Sequence, residues 1–163
     1  MIKQEEFTLA ELTALTGAKR RTVQLWAEAG AIKARAETER AGTGVHRRFD
    51  RTEAVVASML ASLSYLKMSI GELVQRGSDL RQWLETANWN EIEDCVDGKR
   101  DMIVFFWRCE EYPEHPMLVF INKPGDDLGR HAAFFGQQVL RAASDPQALL
   151  VCIPIGSRLR ALA

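Results

Sequence analysis

No stretch of this 163-residue sequence approaches the roughly 20 consecutive apolar residues that a membrane-spanning helix needs. The first residues, MIKQEEFTL, lack the apolar segment of a secretory signal, so a cytoplasmic protein with no membrane partner is expected. Cysteine is scarce: Cys95, Cys109 and Cys152 are odd in number and far apart, which is not a disulfide framework and agrees with a reducing compartment. Neither Cys-x2-Cys nor His-x3-His spacing occurs, and His46, His115 and His131 form no recognisable pair, so no metal is expected. A glycine-rich phosphate loop and an activated serine or cysteine motif are missing too. The expectation is therefore a non-enzyme with no catalytic residues and no cofactor.

What is present is the composition of an ordinary globular protein, 47% apolar and 26% charged, too apolar for a disordered chain. The net charge of −1 hides an asymmetry. Residues 18–51 hold nine Lys or Arg against four acids, a surplus of five positive charges, whereas residues 85–114 hold nine acids against three bases. A basic binding module joined to an acidic second module has this pattern.

The N-terminal half reads as helices with written start signals. Thr8-Leu9-Ala10-Glu11 has the spacing of a capping box and opens a helix to about Thr16, with Leu9, Leu12 and Leu15 as its buried stripe and Gly17 as its stop. From Arg20 to Ala29, Val23, Trp26 and Ala27 share one face while Arg20, Gln24 and Glu28 recur at i+4 steps on another, and Gly30 ends the run. Two short helices joined by a three- or four-residue turn form a helix-turn-helix in outline. The polar, aperiodic stretch 33–45 reads as a β-hairpin loop or wing that returns to His46-Arg47-Arg48-Phe49. Asp50-Arg51-Thr52-Glu53 is a further capping box, opening a helix to about Leu66 with Val55, Val56, Met59, Leu60 and Leu63 inward. Ser69-Ile70-Gly71-Glu72 starts another, in which Ile70, Leu73, Gly77, Leu80 and Leu84 fall at the alternating three- and four-residue steps of a coiled-coil seam. That seam predicts pairing with another helix, either in a homodimer formed through this helix or by packing within the chain.

After Asn88 the pattern turns extended. Met102–Trp107, Met117–Ile121 and Leu149–Ile153 read as buried strands, and residues 131–143 as a helix, which makes a β-β-α-β layer. Phe105, Phe106, Trp107, Phe134 and Phe135 either fill its core or line an apolar pocket for a small-molecule effector. The expected fold class is α+β, divided into a DNA-binding module at 1–76, a connecting or dimerisation helix at 77–94, and a small α+β module at 95–163 for an effector or a protein partner.

The N-terminal pattern resembles the DNA-binding domain of MerR-type winged helix-turn-helix regulators over residues 7 to about 76. The likeness rests on Thr8, Glu11, Leu12, Thr13, Thr16, Gly17 and Ala18, on Thr22-Val23-Gln24-Leu25-Trp26 with Gly30, on Arg47-Arg48-Phe49, and on Met68-Ser69-Ile70-Gly71-Glu72-Leu73. Gln24 stands where that family commonly has a DNA-contacting arginine, and Leu25 where it has an aromatic residue. Phage excisionases and small terminase subunits are similar to the same segment. The resemblance implies a nucleoid-associated, sequence-specific regulator bound to double-stranded DNA, the second helix in the major groove and the wing on the phosphates.

The chemistry of the residues fits that implication. Lys19, Arg20, Arg21, Arg47 and Arg48 reach phosphates, with His46 and Thr22 beside them, and the start of a helix adds amides and a favourable dipole. The Gln24 amide is suited to pair with adenine, and Arg20 or Arg21 with guanine. Trp26 is either a core residue or a phosphate contact through its indole N–H. Two further readings stay open: an architectural protein of a phage or mobile element, and a winged helix turned to protein interaction.

Overall fold

Thr8, Asp50, Ser69 and Asn88 each turn a side-chain oxygen onto a first-turn amide, and a helix begins after each of them. The computed structural model describes residues 5–39, 46–108, 117–122, 133, 136–137, 149–154 and 159–162. In chain order they form strand β1 (Glu6–Thr8), helices α1 (Leu9–Thr16), α2 (Arg20–Ala29) and α3 (Ala36–Glu39), strand β2 (Arg48–Asp50), and helices α4 (Arg51–Ser64), α5 (Ile70–Thr86) and α6 (Trp89–Val96). Strands β3 (Asp101–Arg108), β4 (Met117–Asn122) and β5 (Leu149–Pro154) follow, then a 3-10 turn at Arg160–Leu162. Helix and strand are mixed, as expected. The strands make two antiparallel sheets, β1-β2 and β4-β3-β5.

The capping boxes of α1 and α5 are complete. Glu11 and Glu72 each reach back to the cap amide, at 2.6 and 2.7 Å, while the Thr8 and Ser69 hydroxyls accept from the amides of Glu11 and Glu72. The box expected at α4 is only half formed. Asp50 accepts from the Glu53 amide at 2.9 Å, but the Glu53 carboxylate turns inward instead, taking the Lys33 amide at 2.8 Å and the guanidinium of Arg81. A buried carboxylate needs a cation more than the cap needs a second bond.

Helix α4 is the most fully buried helix among the described residues. Every residue from Glu53 to Ala61 is buried, so it carries no single apolar stripe but is packed all round, by α1 and β1-β2 at one side and α5 at another. Phe7 and Phe49, paired across β1 and β2, enter the same core, which continues through Leu80, Leu84 and Ile92 to Met102, Val104, Phe106 and Leu159.

Three expectations change. Residues 33–39 do not form a hairpin arm: Ala36–Glu39 is a single helical turn, and the strand that carries Arg48 pairs with Glu6–Thr8. The turn holds β2 by other means, since the Arg35 amide donates to the Arg48 carbonyl at 2.8 Å and the Arg48 amide donates to the Thr38 hydroxyl at 3.0 Å. The tip of the expected wing, 40–45, lies outside the described residues. Second, the α5 seam is spent within the chain. Leu73, Gly77, Leu80 and Leu84 are buried against α4 and the segment after α2, while Ile70 is exposed, so most of the seam packs within the chain. Gly77 explains the closeness: a Cβ there would stand 2.3 Å from the Ala31 carbonyl oxygen. Third, the connecting helix expected over 77–94 is broken in two: α5 ends at Thr86, and α6, capped by Asn88, carries the helix on to Val96, past the point where the pattern turns extended.

The three expected strands are present, with β3 central: Ile103 lies opposite Phe120 and Pro154, and Phe105 opposite Leu118 and Cys152. Phe105 and Phe106 are buried. The helix expected over 131–143 falls mostly outside the described residues, as do Phe134 and Phe135; Ala133, Gly136 and Gln137 are helical. Arg76 of α5, over the Phe106 ring at 5.1 Å, and Arg51 of α4, over the Trp89 ring at 4.3 Å, tie the helices to the second half of the chain.

Candidate nucleic-acid interface

Helix α2 begins badly for a helix in isolation. Lys19 caps it without a side-chain bond, Arg20 and Arg21 occupy its first turn, and no acid stands there. Three cations at the positive end of the helix dipole repel it and one another, and an anion relieves both. Lys19, Arg20 and Arg21 are exposed, with Thr22 half-buried behind them. At the other end Gly30, at φ 83°, turns the chain back so that Ala31 and Ile32 are buried.

The outer face of α2 borders an open cleft of about 430 Å³. Its lining comes from three places in the sequence: Thr8, Leu9 and Ala10 at the start of α1; Arg20, Gln24 and Glu28 along α2; and His46 with Arg47 ahead of β2. The tertiary arrangement thus brings together four of the residues singled out from the sequence, namely Arg20, Gln24, His46 and Arg47. Lys19, Arg21 and Arg48 are exposed but do not line the cleft. Trp26 is removed from the candidate surface, because its side chain is 1% exposed and fills the core beneath α2.

The main addition is Glu28. Its carboxylate accepts the Gln24 side-chain amide at 2.8 Å and stands 3.8 Å from Arg21, so the cationic face contains an acid bonded to its one uncharged polar reader. The i+4 spacing of Gln24 and Glu28 is the sequence signal for that bond. Nothing local in the sequence signals that Thr8–Ala10 joins the cleft, since the β1-β2 pairing puts it there.

Elsewhere, no group of three or more His, Cys, Asp or Glu able to hold a metal occurs among the described residues. Cys95 is buried on α6, and burial, against the weaker pull of Arg100, pushes its thiol up to about 11. Cys109 and His115 lie outside the described residues. No helix among the described residues is long and apolar enough to cross a membrane. No protein-family model matches the chain, and no curated protein is detectably similar to it.

Proposed function

We propose that the chain is a sequence-specific DNA-binding transcriptional regulator of MerR-like winged helix-turn-helix type. In this reading α2 enters the major groove of double-stranded DNA, and the segment His46–Arg48 acts as the base of a wing on the phosphates. Residues 1–76 form the DNA-binding module, and the β3–β5 sheet belongs to a second module that takes an effector or a protein partner. Such a protein works on the nucleoid.

The observation that carries the reading is the cleft, where Arg20 and Gln24 of one helix face His46 and Arg47 of a distant loop across an open, groove-like space. Cations on two separate elements, with a base-reading amide between them, suit a surface that holds a backbone from both sides of a groove. The buried Trp26 and the αL turn at Gly30 support it indirectly, because they fix the outward face of α2.

The test is duplex binding by mobility shift at graded salt. Binding of random-sequence duplex near about 50 mM salt that collapses by about 200 mM is expected, together with loss of that binding when Arg20 and Arg47 are both replaced by alanine. A chain that retains no duplex at low salt overturns the proposal. Footprinting then separates the regulator from the architectural alternative: a two-fold symmetric site near a promoter belongs to the first, repeated sites at a recombination or packaging locus to the second.

A further inference from the structure

An acid in the middle of a phosphate-seeking face is out of place unless it does something for recognition. Glu28 is held there by geometry, one helical turn from Gln24 on the same edge of the cleft. A glutamine amide has two N–H donors on nitrogen and two acceptor sites on oxygen. One donor is engaged by Glu28 at 2.8 Å. The flipped amide would set its oxygen against the carboxylate, two acceptors with no proton between them, so the acid decides which way the amide points.

We propose that Glu28 is a specificity-determining positioning residue that commits Gln24 to adenine, an inference that rests on the DNA-binding reading above. Held by Glu28, Gln24 presents one free N–H beside one free carbonyl oxygen. The major-groove edge of adenine offers the complement, the N7 acceptor beside the N6 amino donor. Guanine offers two acceptors, N7 and O6, and a carboxylate next to the amide repels an edge made only of acceptors. The bond also biases the amide toward that orientation before DNA is bound, which lowers its ordering cost. Arg21, 3.8 Å from the same carboxylate and largely exposed, offsets part of the repulsion between Glu28 and the phosphates. The remaining repulsion lowers affinity for correct and random sites alike, so it weakens binding without changing the ratio between them.

The experiment is selection from a randomised duplex library at low salt, followed by sequencing. It uses the full chain as wild type, Glu28→Ala, Glu28→Gln and Gln24→Ala, with melting curves to confirm that each folds. Wild type is expected to enrich adenine at one fixed position by about tenfold or more, the ratio one bidentate contact supports. Gln24→Ala and Glu28→Ala should both lose that adenine, while Glu28→Ala retains more random duplex than wild type. Glu28→Gln should weaken the adenine preference without abolishing it, because a glutamine there can accept from Gln24 or, flipped, donate to it. The inference is overturned if Glu28→Ala keeps the same adenine at wild-type strength, or if wild type binds the library with no base preference that depends on Gln24. A wild-type chain that retains no duplex at all sinks the DNA-binding reading itself, and this result is distinct from the other two.

Discussion

Glu53 of α4 and Arg81 of α5 meet as an ion pair whose side chains are only 7% and 14% exposed, and the pair also grips the segment leaving α2. Glu53 takes the Lys33 amide, and Arg81 donates to the Ala31 carbonyl at 2.7 Å. Four groups from three elements are thereby satisfied at one point, behind the helix that carries the candidate reading face. Replacing Arg81 with methionine strands a buried carboxylate and should cost about 3–5 kcal/mol. The pair Glu53→Leu with Arg81→Leu should cost clearly less than the sum of the single changes, as urea unfolding would show. Additive losses would mean the two residues are not coupled.

Glycines at 71 and 77 sit in the same helix with opposite demands. Gly77 faces the Ala31 backbone at a distance that no Cβ tolerates, whereas nothing lies within 4 Å of a Cβ at Gly71. Gly77→Ala should therefore destabilise by about 1–3 kcal/mol through forced separation of α5 from the end of α2. Gly71→Ala should be neutral or stabilise by up to about 1 kcal/mol through helix propensity. Thermal melts of the two variants check the contrast, and equal shifts would contradict the packing.

Cys95 gives a pH dependence with a defined sign. Its thiol is raised from 9.0 to about 11 by burial. Between those values the unfolded chain has lost the proton and the folded chain still holds it. Stability is thus fully present below pH 9 and should fall by about 2–3 kcal/mol as pH rises to about 11. Unfolding midpoints of wild type and Cys95→Ala, compared across that window, isolate the effect. In the native protein at neutral pH, alkylation of Cys95 should be slow and should accelerate on unfolding.

Arg47 and Arg48 test the phosphate side of the proposed interface. Under the DNA-binding reading, each cation removed flattens the slope of log K against log salt by about 0.9. Arg47→Ala should also weaken binding to all duplexes alike, since phosphate contacts carry no sequence preference. A steeper slope, or a change confined to one sequence, would contradict a phosphate role.

The helix starts at Thr8, Asp50 and Ser69 were legible in the sequence because a cap and the amides it satisfies lie within three residues of each other. So were the stops at Gly17 and Gly30, the three strands of the second sheet, and the shared edge of Arg20, Gln24 and Glu28, all set by local geometry and hydrophobic period. Strand β1 was not legible, since three residues are too short to show alternation. The α5 seam announced that the helix pairs with another but not which one; α4 of the same chain packs against it. Glu53 looked like half of a capping box because its partner Arg81 lies far along the chain, and burial made an ion pair worth more than a cap bond. The cleft itself is a tertiary product: α2 supplies Arg20 and Gln24 whatever the fold, but only the β1-β2 pairing and the bonds from Arg35 and Thr38 to Arg48 bring His46 and Arg47 to face them. Local hydrogen bonding is decided within a turn of chain; which distant surfaces meet is decided by burial of the whole core.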